Sequence, residues 1–278
     1  MLFTAEKPRR KSMPKLDQEM MKLPKKKFQF WNLVWLVVFI GGLVVSTLET
    51  NTSLSSFFNN FGQFAEIFTQ MAQPDWGYTS TAIPYLIETI KMAVLGTVIG
   101  SAIAFVYSLL IARNIIKNKY VTGVLRFVMN IIRTLPDLLL GAIFVAVVGI
   151  GPVAGILALS VFTFGVVVKL FYEAIETIDS GPSEAVIACG GNKLNMISFA
   201  VMPQILPYFI SYTLYAFELN VRASTVLGYI GAGGIGLYLK QTLDIFDYAK
   251  TGTIIIAVFV VVLIIDYVSS KAREALMK

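Results

Sequence analysis

"SEAVIACGGNKLNMISFAVMPQILP", residues 183–207, interrupts a chain that is otherwise written for lipid. It sets Gly, Asn, Lys, Glu and Ser between two oily runs, keeps a helical texture, and ends in two prolines. Just upstream, Asp179 or Ser180 can serve as an N-cap, Pro182 suits a first turn, and Glu184 meets the positive end of a helix dipole. Gly190 and Gly191 can end that helix. Leu194, Ile197 and Val201 then recur at steps of three and four before Pro203 and Pro207. The stretch therefore predicts a short helical hairpin at a membrane surface with a polar face turned to water. Such an object is either an ordinary loop packed on its own bundle or a plug for another protein's groove.

The surroundings decide which surface. Of 278 residues, 56% are hydrophobic and 14% charged, far more apolar than a soluble domain. The bilayer's hydrocarbon core is about 30 Å thick, so a crossing helix needs roughly 20 mostly apolar residues. Six segments qualify, near 28–49, 84–112, 123–149, 152–174, 206–229 and 251–270. This is an all-α membrane protein with six transmembrane helices. The first segment is too long for a signal core, and "VVSTLETN" after it offers no small-residue cleavage site, so it is expected to stay as a span.

Lys and Arg orient the chain. Nine lie in residues 1–27; Arg113, Lys117, Lys119, Lys193, Lys271, Arg273 and Lys278 fall on the same side, whereas the alternate loops hold only Lys240 and Lys250. The positive-inside rule puts both termini and the 183–207 loop in the cytoplasm. Residues 1–27, broken by Pro8, Pro14 and Pro24, read as a basic cytoplasmic arm without a fold of its own, and 271–278 as a cytoplasmic tail. The runs "KPRRKSMPK" and "KLPKKK" fit attraction to an anionic inner leaflet better than nucleic-acid binding. Outside, 50–83 is an amphipathic segment in which Phe57, Phe61, Phe64, Phe68 and Met71 share one helical face ending at Pro74, suited to the outer membrane surface. In the second span, Gly96, Gly100 and Ala104 allow another helix to approach closely. "GIGP", 149–152, forces a tight hairpin between the third and fourth spans.

The chain has no His, and its one Cys is Cys189. An intrachain disulfide, a zinc site and a Cys–His nucleophile are thereby excluded. No G-x-x-x-x-G-K-[ST] phosphate loop occurs, and no nucleophile–base pair lies in the spans, so no catalytic residue is assigned. "GYIGAGGIG", 228–236, lacks the strand-then-helix context of a dinucleotide loop. Gly231, Gly233 and Gly234 read either as an outer gate re-entering the membrane or as a plain packing turn.

Charges inside spans are costly unless paired or wet, which makes each a functional candidate. They come in couples: Glu88 with Lys91 three apart, and Arg133 with Asp137, Lys169 with Glu173, and Glu218 with Arg222 four apart. The first and third of these read as local pairs near span ends. Arg133 and Asp137 around Pro136, and Glu218 and Arg222 with Asn220, Ser224 and Thr225, are open to two main readings, internal salt bridges or the lining of a water-filled path; a third, a proton relay through Asp137 and Glu218, is weakened by the absence of His and by the arginine near each carboxylate. An arginine there favours anionic cargo.

Residues 183–207 also resemble a known signature. Permease subunits of binding-protein-dependent ABC importers carry Glu-Ala-Ala, three residues, Gly, nine residues, then Ile-x-Leu-Pro on a cytoplasmic loop. Glu184, Ala185, Gly190 and Pro203 match it; Val186, Ala200 and Met202 are apolar departures that keep the spacing. The flanks "EAIETIDSGPSEA" and "IRTLPDLLLGAIFVAVVGIGP" look like the phosphonate transport branch, and the similarity covers most of 75–278.

The resemblance implies a five-helix, methionine-permease-like core over 84–270 with its coupling loop at 179–205, paired with a second copy in a bacterial plasma membrane. It further implies an extracytoplasmic substrate-binding protein and two cytoplasmic ATPase subunits, which hold the ATP and Mg; this chain needs no cofactor or metal. Glu184, Ala185 and Gly190 would seat in the ATPase groove, with Asn192 and Lys193 at its rim by position. Same-fold permeases for methionine or phosphite, or an ion-coupled secondary transporter, are the alternatives.

Overall fold

The computed structural model describes residues 30–49 and 59–276, and all regular structure among them is helical. The chain forms two units, Met1–Gly62 and Gln63–Lys278. In the first, α1 (Phe30–Glu49) has 20 residues, so at about 1.5 Å per residue it is long enough to span the hydrocarbon core. The basic arm, Phe57 and Lys278 lie outside the described residues.

A short helix, α2 (Phe61–Met71), exposes Phe64 and Phe68, whose ring centroids lie 4.6 Å apart with the planes tilted by 44°. It stops at Met71, three residues before Pro74. Asp75 then caps a 3₁₀ turn, Trp76–Tyr78, by accepting from the Gly77 N–H at 3.0 Å, and α3 (Thr79–Ile111) follows. The second span thus starts five residues before the sequence suggests, and Pro84 is accommodated inside the helix.

The third predicted span is not one helix. It is α4 (Lys119–Thr134) followed by α5 (Asp137–Val148), bent by 87°. Pro136 drives Leu135 into extended backbone (φ −76°, ψ 122°), the usual steric restriction on a residue before proline. The 12 residues of α5 reach only about 18 Å, short of a full crossing. Among the described residues, five helices are therefore long and apolar enough to cross, or six if the bent pair counts as one crossing.

The tight hairpin is present: Gly149 (φ 90°) and Gly151 (φ 146°) turn α5 into α6 (Pro152–Thr177). After α7 (Gly181–Ala188), a helical turn at Lys193–Asn195 and a π-helical turn at Met196–Val201 lead without a stop into α8 (Met202–Tyr229). Pro203 and Pro207 do not end this run. The π turn, closed by Met202 N–H to Ile197 O, takes up the register, and Pro203 falls in the first turn of α8. The final elements are α9 (Ile235–Asp244) and α10 (Tyr248–Leu276).

The α3–α6 pair is the spine. A Cβ on Gly96 would lie 2.6 Å from Leu159 Cβ, and one on Gly100 2.6 Å from Thr163 Cβ, so the small-residue series sets this close approach. Asn220 of α8 is fully buried against that seam and donates to Thr97 Oγ1 (2.8 Å) and Thr163 Oγ1 (2.6 Å), tying three helices together. Toward the end that carries the α6–α8 loop, Phe171, Val168 and Ile175 pack with Ile111, Met129 and Ile205. Toward the outer end, Ala82 and Leu86 pack with Ile235 and Ile254.

Candidate functional site: the exposed α6–α8 loop and the charged clusters

The loop between α6 and α8 folds as the hairpin its sequence calls for. Asp179 Oδ1 accepts from the Gly181 N–H (2.9 Å), Ser180 stands at the N-cap, and its hydroxyl donates to Glu184 Oε1 (3.0 Å). At the other end, Gly190 adopts φ 82°, its N–H reaches Ile187 O (2.9 Å), and the Gly191 N–H reaches Val186 O (2.9 Å). These are the paired bonds of a Schellman stop, which puts Gly190 in the left-handed region where a side chain is disfavoured. Gly191 is fixed by space, since a Cβ there would press on Val186 O at 2.8 Å. Asn192 opens the next helix by accepting from the Asn195 N–H (2.9 Å).

No residue of α7 is buried. Glu184, Ala185, Gly190, Asn192 and Lys193 all lie on the surface, and Ile187, Leu194 and Phe199 are exposed at 57%, 72% and 74%. Ala185, Val186, Cys189, Gly191, Asn195 and Phe199 line a groove of about 400 Å³ between the two helical arms. An eight-residue helix with no buried face and a rim of bare apolar side chains is built to be covered.

The root of this loop is held firmly. Arg126 of α4 donates to Ile111 O (2.9 Å), satisfying a carbonyl at the end of α3, and pairs with Glu176 of α6 while stacking on the Tyr172 ring at 4.4 Å. Glu176 Oε1 also accepts from the Arg113 N–H (2.7 Å). Sequence reasoning passed over Arg126 and Glu176; the available signal was Arg126 seven residues after Lys119, on the polar stripe of an amphipathic α4.

The predicted couples divide. Lys169 pairs with Glu173 and also donates to Tyr172 Oη (2.9 Å). Glu218 pairs with Arg222, but its second oxygen takes Arg273 Nη2 at 3.1 Å, so Arg273 belongs to α10 and the bundle rather than to a free tail. Arg222 also lies 3.9 Å from Asp266 Oδ1. Arg133 and Asp137 do not pair, because the break at Pro136 puts them on different helices; the Arg133 stem lies against Gly165, and Asp137 Oδ1 accepts from the Leu138 N–H (2.9 Å). Glu88 does not pair with Lys91 either, and accepts instead from the Gly234 N–H (3.3 Å).

Of the residues considered for a water-filled path, Glu218, Asn220 and Ser224 are buried between helices, while Arg133 and Arg222 reach the surface. The glycine turn is buried as well. Gly231, Gly233 and Gly234 have φ of 98°, 82° and 71°, the Gly151 N–H reaches Gly231 O (3.0 Å), and the Ile235 N–H reaches Thr89 Oγ1 (2.8 Å). In this conformation it is a packed turn that folds α9 back along α8.

A polytopic helical membrane protein that holds one bare helix out at one end of its bundle is the class this geometry defines. Residues 104–270 match the family described as "Binding-protein-dependent transport system inner membrane component". The chain is similar to the phosphite transport system permease protein PtxC of Stutzerimonas stutzeri, at 37% identity over 87% of this chain and 86% of that one. It is also similar to the phosphate-import permease protein PhnE of Mycolicibacterium smegmatis, at 33% identity over 86% of this chain and 45% of that one. The putative cryptic phosphonate transport system permease protein PhnE2 of Escherichia coli K12 is 44% identical over 42% of this chain and 97% of its own. Among solved structures, the inward-facing MetNI methionine ABC transporter shares the fold with a TM-score of 0.66, at 21% identity over 73% of this chain and 100% of that one.

The chain belongs to the family of binding-protein-dependent transport system inner membrane components. It is an inner-membrane permease subunit that works with a substrate-binding protein and a separate ATPase, and it is not itself an enzyme.

Proposed function

We propose that this chain forms the translocation path of an importer for phosphonate or a closely related phosphorus oxyanion. The substrate reading is supported by three relatives named for phosphite, phosphate and phosphonate transport. The observation that carries the coupling role is α7: an eight-residue helix without a buried face, stopped by Gly190 in a conformation that favours glycine, on a root anchored by Arg126 and Glu176. Glu184, Ala185 and Gly190 sit on that helix and its stop, and Asn192 and Lys193 lie beside them at the rim of an ATPase groove. A second copy of the permease completes the path, and each copy takes one ATPase subunit, which holds the ATP and Mg.

In this reading, nucleotide-driven closure of the two ATPases brings the paired loops together. Because α7 runs into α6 on one side and, through the π turn, into α8 on the other, its displacement tilts both spans. Arg222 and Arg133, the two cations that reach the surface among the residues considered for the path, favour anionic cargo at that level of the membrane. The turn at Gly231, Gly233 and Gly234 serves as the outer gate when α8 moves away from it.

The complex reconstituted in vesicles tests this. Phosphonate delivered by the binding protein should stimulate ATP hydrolysis, and Glu184→Arg should abolish the stimulation. Stimulation by an amino acid alone would refute the substrate class, and uptake that stops when ion gradients collapse under constant ATP would refute ATP coupling. Phosphite in place of phosphonate is the second reading, favoured by the PtxC relative at 37% identity.

A further inference from the structure

The coupling loop leaves the bundle at Asp179 and returns to it 25 residues later at Gln204, and these two positions grip each other. The Asp179 N–H donates to Gln204 Oε1 at 3.1 Å, and Gln204 Nε2 donates back to Asp179 O at 3.3 Å. One side-chain amide thus engages both backbone groups of a single residue, in the manner of a strand pairing. The same Nε2 donates to Ala200 O at 2.8 Å, inside the π turn, so the amide is oriented by its own helix before it meets Asp179.

The surroundings make this clasp consequential. Ile178 is in extended backbone (φ −67°, ψ 159°), so α6 has ended and Asp179 has no helical partner for its N–H. Behind Gln204, Ala200, Val201 and Ile205 are buried, which fixes the helix that carries the amide. In front of it, α7 buries nothing and gains its position only from its ends and from packing on the π turn. A loop so exposed can yield by bending at its base rather than by moving the spans attached to it.

We propose that Gln204 is a positioning residue for coupling: its clasp on Asp179 closes the base of the loop and makes α7 a rigid lever on α6 and α8. The proposal rests on the coupling role given to α7 above. A glutamine is suited to the task because only an amide offers a donor and an acceptor side by side at this reach. Glutamate would keep the acceptor for the Asp179 N–H, lose both donors, and set a carboxylate against Asp179 O. Alanine would lose all three bonds.

Two measurements on the full chain test it. In the purified permease, hydrogen exchange of the Asp179 amide should quicken in Gln204→Ala and less so in Gln204→Glu; unchanged exchange in the alanine variant overturns the clasp. In the complete transporter in vesicles, Gln204→Ala should co-purify with its ATPase and keep basal hydrolysis, while cargo moved per ATP falls about two- to thirtyfold, the range over which single positions alter coupling. Gln204→Glu should fall between it and the parent. A merely structural role lowers transport and hydrolysis together and leaves their ratio intact, which would overturn the proposal. If the parent complex shows no cargo-stimulated hydrolysis, the coupling role of α7 fails, and the exchange measurement still decides the clasp.

Discussion

Arg273 Nη2 lies 3.1 Å from Glu218 Oε2, joining the end of α10 to the middle of α8 across 55 residues of sequence. Glu218 is 9% exposed at its side chain and Arg273 25%, whereas Arg222, on the other oxygen, is 51% exposed. Breaking a buried pair leaves a charge stranded, while an exposed partner is replaced by water. Arg273→Ala should therefore destabilise the permease by about 2–3 kcal/mol and Arg222→Ala by less than about 1 kcal/mol. Thermal unfolding in detergent checks this, since about 1 kcal/mol moves the midpoint of a chain this size by roughly 2–4 °C. Equal shifts for the two arginines would mean that Glu218 is wetter than the geometry implies.

Glycines at close approaches behave differently from glycines facing open space. A Cβ on Gly100 would press on both Thr163 Cβ and the Ser160 backbone oxygen, a contact that only separation of α3 from α6 relieves. Nothing lies within 4 Å of a Cβ on Gly123 in α4. Gly100→Leu should cost about 3 kcal/mol or more and empty the membrane fraction of folded protein. Gly123→Ala should be neutral or stabilising by up to about 1 kcal/mol, through helix propensity. Expression and detergent unfolding of the two variants side by side give the comparison.

What could be read from the chain without its structure followed from local chemistry. The apolar lengths gave five of the spans, the Gly96, Gly100, Ala104 series marked a close helix approach without naming the partner, and Ser180, Pro182 and Gly190 gave the bounds of α7, because caps and steric approach depend on neighbours in sequence. The failures share a cause. Pairing Arg133 with Asp137 assumed one continuous helix through Pro136, and treating Arg273 as tail assumed that charge ends a span. Glu88 found Gly234, 146 residues away, and Asn220 found Thr97 and Thr163, contacts that no spacing encodes. Gln204 was hidden because its partner is a backbone, which leaves no mark on the sequence.

The link between α9 and α10 carries a pH signature. The Lys250 ammonium, 2.7 Å from Asp247 Oδ2, and the Lys250 backbone N–H, 3.2 Å from Oδ1, hold the Asp247 carboxyl below the usual carboxylate range. A depressed carboxyl stabilises the fold above its unfolded value and loses that contribution as pH falls through the folded one. The difference in unfolding midpoint between the parent and Asp247→Asn should thus be constant from pH 7 down to about 4 and vanish below it, the unfolded carboxyl titrating near about 3.9. A difference that grows on acidification would reverse the sign and remove Lys250 as the cause.

Gly190 separates the shape of the loop between α6 and α8 from its chemistry. At φ 82° it accepts the left-handed turn that stops α7, and nothing lies within 4 Å of an added Cβ, so a side chain there meets no steric wall and only backbone strain. Gly190→Ala should therefore cost about 1 kcal/mol at the loop, and Gly190→Val more, since a branched Cβ tolerates this region less well. Neither change touches the spans, so the unfolding of the bundle should stay within about 0.5 kcal/mol of the parent. The loss should appear in the hydrogen exchange of Gly190 and Gly191, whose bonds to Ile187 O and Val186 O form the stop. Gly190→Asn provides the control, because asparagine enters the left-handed region more readily than other side chains and should recover most of the protection lost in the alanine variant. Recovery by asparagine with none by valine assigns the defect to backbone conformation; equal loss in all three assigns it to the added side chain itself.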